Sequence, residues 1–164
     1  KYEQGVNLDP VQIWQYELGA SYLGVNRLEL DIVGFILNTS NEIFESPPGS
    51  GDLVNIGETQ RKGIETEAVF KPTPRWRIRG TFSYTETEVV DNPDESLIGS
   101  SLVNIPQTIS NFDVSYIFLN GMGSRFAIRD VGSYYTNAEN TAGYDGYTVA
   151  NLTLFYNFNK FLCK

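Results

Sequence analysis

Hydrophobic and polar residues alternate with a period of two along most of the chain, which is typical of β-strands with one polar and one apolar face. The clearest run places Trp76, Ile78 and Phe82 on one face and Arg77 and Arg79 on the other. The alternation predicts about seven long strands, with cores at residues 14–22, 28–37, 63–70, 76–85, 111–118, about 125–136 and 150–158. The fold class predicted is therefore all-β, as an antiparallel meander.

The connections between these runs alternate in length. Short connections are predicted at residues 24–26, 72–75, 120–123 and 159–160, and long ones at about 39–52, 91–106 and 137–146. Asn120-Gly121 is a strong signal for a tight hairpin. Tight turns at one end of the sheet, long loops at the other and unusually long strands are typical of transmembrane β-barrels.

A soluble β-sandwich is the main alternative from the pattern alone, because its strands also alternate. The buried face of a sandwich is usually richer in Val, Ile and Leu than in Gly, Ala, Tyr and Phe, and its long loops need not lie at one end. The pattern therefore favours the membrane barrel and leaves a soluble β-sandwich binding module open.

Aromatic residues gather on the apolar face near the predicted short turns. The members of this predicted girdle are Tyr22, Phe70, Trp76, Phe118, Phe126, Tyr156 and Phe158. An opposite girdle is predicted from Trp14, Tyr84, Tyr135 and Tyr147. Two aromatic belts are expected at the two membrane interfaces of a barrel, although aromatic residues also favour strands in general.

Composition excludes several kinds of chemistry. The 164 residues include one Cys and no His, so a His-based triad, a His-ligated metal and a disulfide framework are impossible within this chain. Twelve Lys and Arg stand against 20 Asp and Glu, for a net charge of −8, which argues against nucleic-acid binding. We expect no enzymatic activity, and the sequence assigns no catalytic residue, no metal ligand and no cofactor.

Charged residues on the polar face are the first candidates for a functional surface. They are Glu17, Glu29, Asp31, Glu65, Glu67, Asp113, Arg77, Arg79 and Arg125. They suit either a solvated, charge-balanced wall or a docking surface or substrate path. Nothing in the spacing of Glu65 and Glu67 indicates acid–base chemistry.

The long connections supply a second set of candidates. Acidic residues between Arg79 and Arg125 are Glu86, Glu88, Asp91, Asp94, Glu95 and Asp113, without the spacing of an EF-hand. Residues that suit an amphipathic ligand, a turn or an interfacial belt are Phe44, Asn137, Asn140, Tyr144 and Tyr147. Cys163 is interpreted as a small apolar strand residue. The ligand-binding residues stay unassigned.

Several short motifs together resemble the C-terminal barrel half of TonB-dependent outer-membrane receptors. In chain order they are Leu8-Asp9-Pro10, Tyr16-Glu17-Leu18-Gly19, Asn55-Ile56-Gly57, Lys62-Gly63-Ile64-Glu65, a strand from Trp76 to Tyr84-Thr85, and Val103-Asn104-Ile105-Pro106. Each motif alone is weak. Their order and spacing across nearly the whole chain indicate the family but not its ligand.

The resemblance implies a 22-stranded transmembrane barrel, plugged by an N-terminal globular domain, in the outer membrane of a Gram-negative bacterium. It implies active transport of a scarce nutrient, most often a ferric siderophore, with energy from the TonB complex. The expected partners are outer-membrane lipid, the TonB complex acting through an N-terminal segment, and the small ligand. The full-length barrel is expected to be monomeric. Another outer-membrane barrel, porin-like or adhesive, is the competing membrane class.

The resemblance also sets an expectation for domain organisation. Residues 1–164 are expected to be a C-terminal fragment of a receptor β-barrel domain, without the plug domain and the final strands. Because an open sheet leaves backbone groups unpaired in lipid, we expect that the isolated chain does not insert as a monomer.

Overall fold

The computed structural model describes residues 8–25, 27–45, 52–119 and 121–156. Its strands in chain order are β1 (Gln12–Leu23), β2 (Leu28–Glu45), β3 (Leu53–Phe70), β4 (Trp76–Asp91), β5 (Thr108–Ile117), β6 (Met122–Val131), β7 (Tyr134–Tyr135), β8 (Gly143–Tyr144) and β9 (Tyr147–Tyr156). Seven of them form one antiparallel sheet in the order β1-β2-β3-β4-β5-β6-β9, and β7 pairs with β8. The predicted all-β meander of about seven long strands is confirmed.

β2 and β3 are longer than the alternation predicted. Their ladder continues from Ser40↔Glu58 to Glu45↔Leu53, so the long connection predicted at 39–52 is wrong over its first half. The reason is that backbone pairing needs no amphipathic pattern, and polar residues occupy both faces from Asn38 to Glu42. β6 ends at Val131, short of the limit predicted near residue 136. It runs through Asp130, whose carboxylate accepts a hydrogen bond of 2.6 Å from Thr148 on β9.

Tight turns close one end of the sheet, as predicted. The turn after β1 is closed by the Arg27 N–H, which donates to the Gly24 carbonyl at 3.1 Å. The turn after β5 is closed by the Gly121 N–H donating to the Phe118 carbonyl at 3.2 Å, and Gly121 has φ 83°. The connection predicted at 159–160, and with it Phe158 and Cys163, lies outside the described residues.

The two faces of the sheet differ in burial. In the part of the chain that the structure describes, every buried strand residue lies on the polar face: Thr39, Thr59, Val69, Thr87, Val89, Asp113, Gly123 and Val131. The sheet therefore curves towards its polar face, and the apolar face is convex. Leu18, Leu152 and Leu154 on the convex face are 83%, 70% and 70% exposed. No helix in the described part of the chain is long and apolar enough to cross a membrane.

Aromatic residues mark both edges of the apolar band. Trp76 packs on Tyr116 with ring centroids 4.6 Å apart at the tight-turn end, and Trp14 and Tyr84 lie on the same face at the other end. Just past Tyr84, Glu86 forms an ion pair with Lys62 at 3.3 Å. The ten residue-to-residue steps from Trp76 to Glu86 rise roughly 33 Å along the strand, or about 25 Å at a barrel tilt near 40°, which matches the lipid-facing band of known barrels.

One residue predicted for the second girdle lies on the polar face instead of the apolar face. Tyr147 pairs with Val131, and both point to the polar side. Ala150 belongs to the apolar row, and residues an odd number of positions apart in a strand face opposite sides, so Tyr147, three positions away, faces the polar side. Tyr135 lies in the small β7–β8 ladder. The second girdle in the described residues therefore rests on Trp14 and Tyr84.

Candidate functional site

The polar face carries all nine charged residues that the sequence assigned to it. Arg79 makes a two-pronged contact with Glu67, through Nε at 2.8 Å and Nη2 at 2.7 Å. On the adjacent strands, Arg125 Nε lies 3.2 Å from Asp113 Oδ1, and Arg77 Nη1 lies 4.0 Å from the same oxygen. An Arg–carboxylate pair with two parallel hydrogen bonds, such as Arg79–Glu67, is stronger than an ion pair with a single contact.

Asp113 is the centre of this charged cluster. Its side chain is 7% exposed, because β4 and β6 place Arg77 and Arg125 on either side of it. Burying a carboxylate is costly unless positive neighbours of this kind pair with it. The tight-turn half of the wall is therefore largely self-paired, which favours the charge-balanced wall over an open docking surface in this region.

At the opposite end, an asparagine ties the chain before β1 to β3. The Asn55 side chain accepts a hydrogen bond of 2.7 Å from the Asp9 N–H and donates one of 3.1 Å to the Asp9 carbonyl. It also donates to the Asn41 carbonyl at 2.8 Å, where Asn41 has φ 57°. The motifs Leu8-Asp9-Pro10 and Asn55-Ile56-Gly57 are thus parts of one contact between residues far apart in sequence.

A second contact beside it fixes the upper part of β2. Arg61 Nη2 lies 2.6 Å from Glu42 Oε1, and Arg61 Nη1 donates to the hydroxyls of Thr39 and Thr59. Thr39 and Thr59 are 3% and 1% exposed. This cluster cross-links β2 and β3 beyond the apolar band.

The two long loops at this end, residues 92–107 and 132–146, are joined by another asparagine. The Ser101 N–H donates to Asn140 Oδ1 at 2.7 Å, and Asn140 Nδ2 donates to the Ser101 carbonyl at 3.0 Å. The Asn104 N–H adds a bond of 2.8 Å to the Tyr135 carbonyl. We call this contact the loop clasp. It holds the loops as one body.

The clasp is anchored to the sheet through Leu102, which is 4% exposed. The Leu102 N–H donates to the Thr87 hydroxyl on β4 at 2.9 Å. Val89 bonds the same loop through Ser100 and Gly99, each at 2.9 Å. The outer loops are therefore a continuation of the wall.

A recess of about 290 Å³ opens between the clasped loops. Tyr134 and Tyr144 face each other there with centroids 5.4 Å apart, and Tyr147 lies 6.5 Å from Tyr144. The lining also includes Thr87, Gln107 and Asp145. Because Thr87 belongs to the inward row of β4, the recess opens on the polar side of the sheet.

The structure brings some predicted loop residues together and separates others. Tyr144 lines the recess, Tyr147 is in ring contact with Tyr144, and Asn137 and Asn140 shape the loops beside the recess. Tyr134 was missed, since an aromatic pair across two loops has no signal in local sequence. The side chain of Phe44 lies outside the described residues.

The predicted acidic group is dispersed. Asp113 lies at the tight-turn end, Glu86 and Glu88 lie on the convex face, and Asp94 and Glu95 lie at a 3-10 turn, Glu95–Leu97. Within the described residues, no three acidic, His or Cys side chains are grouped so that they could hold a metal ion.

Asp94 gives a pH-dependent prediction for the loop. Its carboxylate accepts hydrogen bonds from the Ser96 hydroxyl at 2.7 Å and the Ser96 N–H at 3.0 Å, and these bonds lower the pKa of Asp94 below its ordinary value of 3.8. Because the folded pKa is the lower one, this stabilisation is present above about pH 3.8 and is lost as pH falls through the lowered pKa. We expect hydrogen-exchange protection at Ser96, corrected for intrinsic rate, to fall in that acidic range.

Asp94→Ala is the control for this prediction. The variant should lack the protection at every pH, because alanine cannot accept the two hydrogen bonds. Equal protection in both proteins above pH 5 would contradict the assigned role of Asp94.

A curved meander with a convex apolar face, aromatic edges and a polar concave face defines a segment of a transmembrane β-barrel wall. Residues 1–162 match the family described as TonB dependent receptor-like, beta-barrel. The chain belongs to this family, whose members are receptors.

Individual relatives agree with the family. The chain is 26% identical over 148 residues to the ferrichrome outer membrane transporter/phage receptor of Escherichia coli, covering 87% of this chain and 19% of the relative. It is 25% identical over 164 residues to the ferrioxamine B receptor of Salmonella typhimurium, covering 96% of this chain and 23% of the relative. The chain thus spans about a fifth to a quarter of the curated relatives it matches.

Solved structures show the same fold. The ferric yersiniabactin uptake receptor FyuA from Yersinia pestis superposes with a TM-score of 0.74 and 21% identity, covering 89% of this chain and 22% of the receptor. The unliganded ferric citrate transporter FecA superposes with a TM-score of 0.74 and 18% identity, covering 90% of this chain and 24% of the transporter.

Proposed function

We propose that the chain forms part of the barrel wall of a TonB-dependent receptor that imports a ferric siderophore across the outer membrane of a Gram-negative bacterium. The observation that carries the proposal is the family match over residues 1–162 on a sheet with one lipid-type and one polar face. The curated relatives are a ferrichrome outer membrane transporter and a ferrioxamine B receptor.

Each part of the wall has a role in this proposal. The convex face between Trp76 and Tyr84 contacts lipid, and the polar face lines the lumen around a plug domain. The clasped loops lie on the extracellular side, where ligand arrives. TonB acts on an N-terminal segment of the receptor, so the wall described here stays rigid while the plug moves.

The ion pairs within the polar face support these separate roles for the wall and the outer loops. Glu67–Arg79 and the Asp113 cluster hold neighbouring strands together without needing a partner. A wall with internally compensated charge keeps its shape when a plug shifts beside it. Ligand selection then falls to the outer end of the lumen, where aromatic side chains are open to solvent.

The porin-like alternative predicts passive transport. A soluble β-sandwich does not suit the sheet, because a sandwich packs its apolar face on a second sheet, and Leu18, Leu152 and Leu154 here are exposed. Membership in the receptor family argues against both alternatives.

Transport by the full-length receptor in its native host tests the proposal. Deleting its gene should abolish uptake of a radio-iron-labelled siderophore under iron limitation, and inactivating TonB should have the same effect. Re-expression of the receptor restores uptake in the first strain only. Uptake that needs the receptor but persists without TonB would support the porin-like class, and uptake that needs neither would refute the proposal.

A further inference from the structure

We infer that the recess between the clasped outer loops binds an alkylammonium group carried by the ligand. The inference rests on the proposed function, since it names a subclass of ferric complex: one that carries a protonated amine beyond its iron-binding groups. Three features of the recess support it: its aromatic faces, its one carboxylate and the distribution of cationic residues.

Aromatic faces supply the first feature. The Tyr134 and Tyr144 rings lie 5.4 Å apart at an interplanar angle of 33°, and Tyr147 meets Tyr144 nearly edge-on at 6.5 Å. Tyr144 and Tyr147 are 46% and 45% exposed, so their rings are available to a ligand. Because Tyr134 and Tyr144 are too close together for a cation to enter between them, an ammonium ion would contact an exposed ring face of Tyr144 or Tyr147, which attracts it electrostatically.

Asp145 supplies the second feature. It follows Tyr144 directly and lines the same recess. In the part of the chain that the structure describes, no side chain donates to the Asp145 carboxylate, whereas Glu42, Glu67 and Asp113 are all held by arginines. The Asp145 charge is therefore available to a cation that enters the recess.

The third feature is the position of the cationic residues. The sequence has no Lys or Arg between residues 80 and 124, nor between 130 and 156, so neither clasped loop contains one. Arg129 is the nearest cation in sequence, and it lies on β6 outside the lining of the recess. Arg129 faces the polar side two residues from Val131, but the residues that line the recess include no cation. Within the lining an anionic complex such as a ferric tricatecholate therefore finds no counter-charge, while an ammonium group finds a carboxylate and rings.

The size of the recess limits what it holds. A volume of about 290 Å³ lies at the low end of small-molecule pockets, and suits one arm of a ligand better than a whole iron complex. Ile105 and the tyrosine rings offer apolar contact to an alkyl chain, and Gln107 and Thr87 offer polar contact near its end. We therefore place the amine-bearing arm in the recess and the iron centre in the lumen.

A pair of ligands that differ only in the amine tests this inference. The probes are a linear ferric trihydroxamate ending in a primary amine and the same complex with its amine acetylated. Affinities are measured by fluorescence quenching on the purified full-length receptor in detergent at low salt. We expect the amine form to bind about tenfold more tightly, since a combined carboxylate and ring contact is lost on acetylation.

Two variants of the receptor locate the effect. Asp145→Asn should reduce the tenfold preference to about twofold, and heat-modifiable migration of the variant shows that it is folded. Asp94→Asn is the matched control, because Asp94 is an outer-loop carboxylate that does not line the recess. It should keep the full preference.

The outcomes separate the inference from the proposed function. Equal binding of both trihydroxamates, or a preference that survives Asp145→Asn, would overturn the amine site and leave siderophore import standing. Binding of a ferric tricatecholate alone would also overturn the amine site. Binding of no ferric complex at all would remove the proposed function as well.

Discussion

Replacing Phe82 with Arg should destabilise the inserted receptor by about 2–4 kcal/mol, the cost of a cationic side chain on the lipid face near the middle of the bilayer. Phe82 lies on the convex row of β4, 44% exposed, between Thr66 on β3 and Ser110 on β5. It is six residues from Trp76 and four from Glu86, so an arginine there cannot easily reach either interface. The measurement is urea unfolding of the full-length receptor in lipid bilayers, followed by heat-modifiable migration.

Ser83→Arg is the control for this experiment. Ser83 is the next residue of the same strand but belongs to the polar row, directly opposite Glu65. An arginine at this position faces water and a carboxylate, so we expect a change below about 1 kcal/mol. Equal losses for the two variants would show that the faces have been assigned incorrectly.

Replacing Gly63 with Ala should disrupt pairing between β3 and β4. An added Cβ would lie 2.1 Å from the Tyr84 carbonyl oxygen and 2.9 Å from the Phe35 ring. The first contact is with backbone, which cannot move away without distorting the ladder. We expect a loss of about 1–3 kcal/mol, as for other overpacked sites, measured by the same unfolding experiment.

Gly80→Ala is the matched variant for this second prediction. Gly80 is also a strand glycine, on β4, but an added Cβ would meet no atom within 4 Å. We expect no loss, and a gain of up to about 1 kcal/mol from reduced chain entropy in the unfolded state. A Gly63→Ala receptor as stable as Gly80→Ala would refute the close approach at Gly63.

The strands and their two faces could be predicted from the sequence because period-two alternation reports directly on face. Trp76 to Tyr84 is the clearest example, since every inward residue there is polar and every outward residue is apolar, aromatic or glycine. Glycine at 63 could be identified as part of a motif, but its reason could not, because the nearby Tyr84 carbonyl belongs to another strand.

The tall β2–β3 ladder and the recess could not be predicted for a different reason. Above the apolar band, both faces meet water, so polarity no longer marks which face a residue occupies. Contacts such as Asn55 with Asp9, and Asn140 with Ser101, join residues 46 and 39 positions apart. Placing them requires the full strand register, which a local pattern does not contain.

The loop clasp has a consequence for how this receptor can diversify. The Asn140 side chain contacts Ser101 through the main-chain N–H and carbonyl alone, so the side chain at position 101 can change without loss of these two hydrogen bonds, whereas a residue without an amide at position 140 would lose both. One loop is therefore free to vary at the contact while the other preserves it. A graft of residues 132–146 into another receptor would carry Asn140 with it. The grafted loop could then form the same two hydrogen bonds with any neighbouring loop whose backbone has a matching shape.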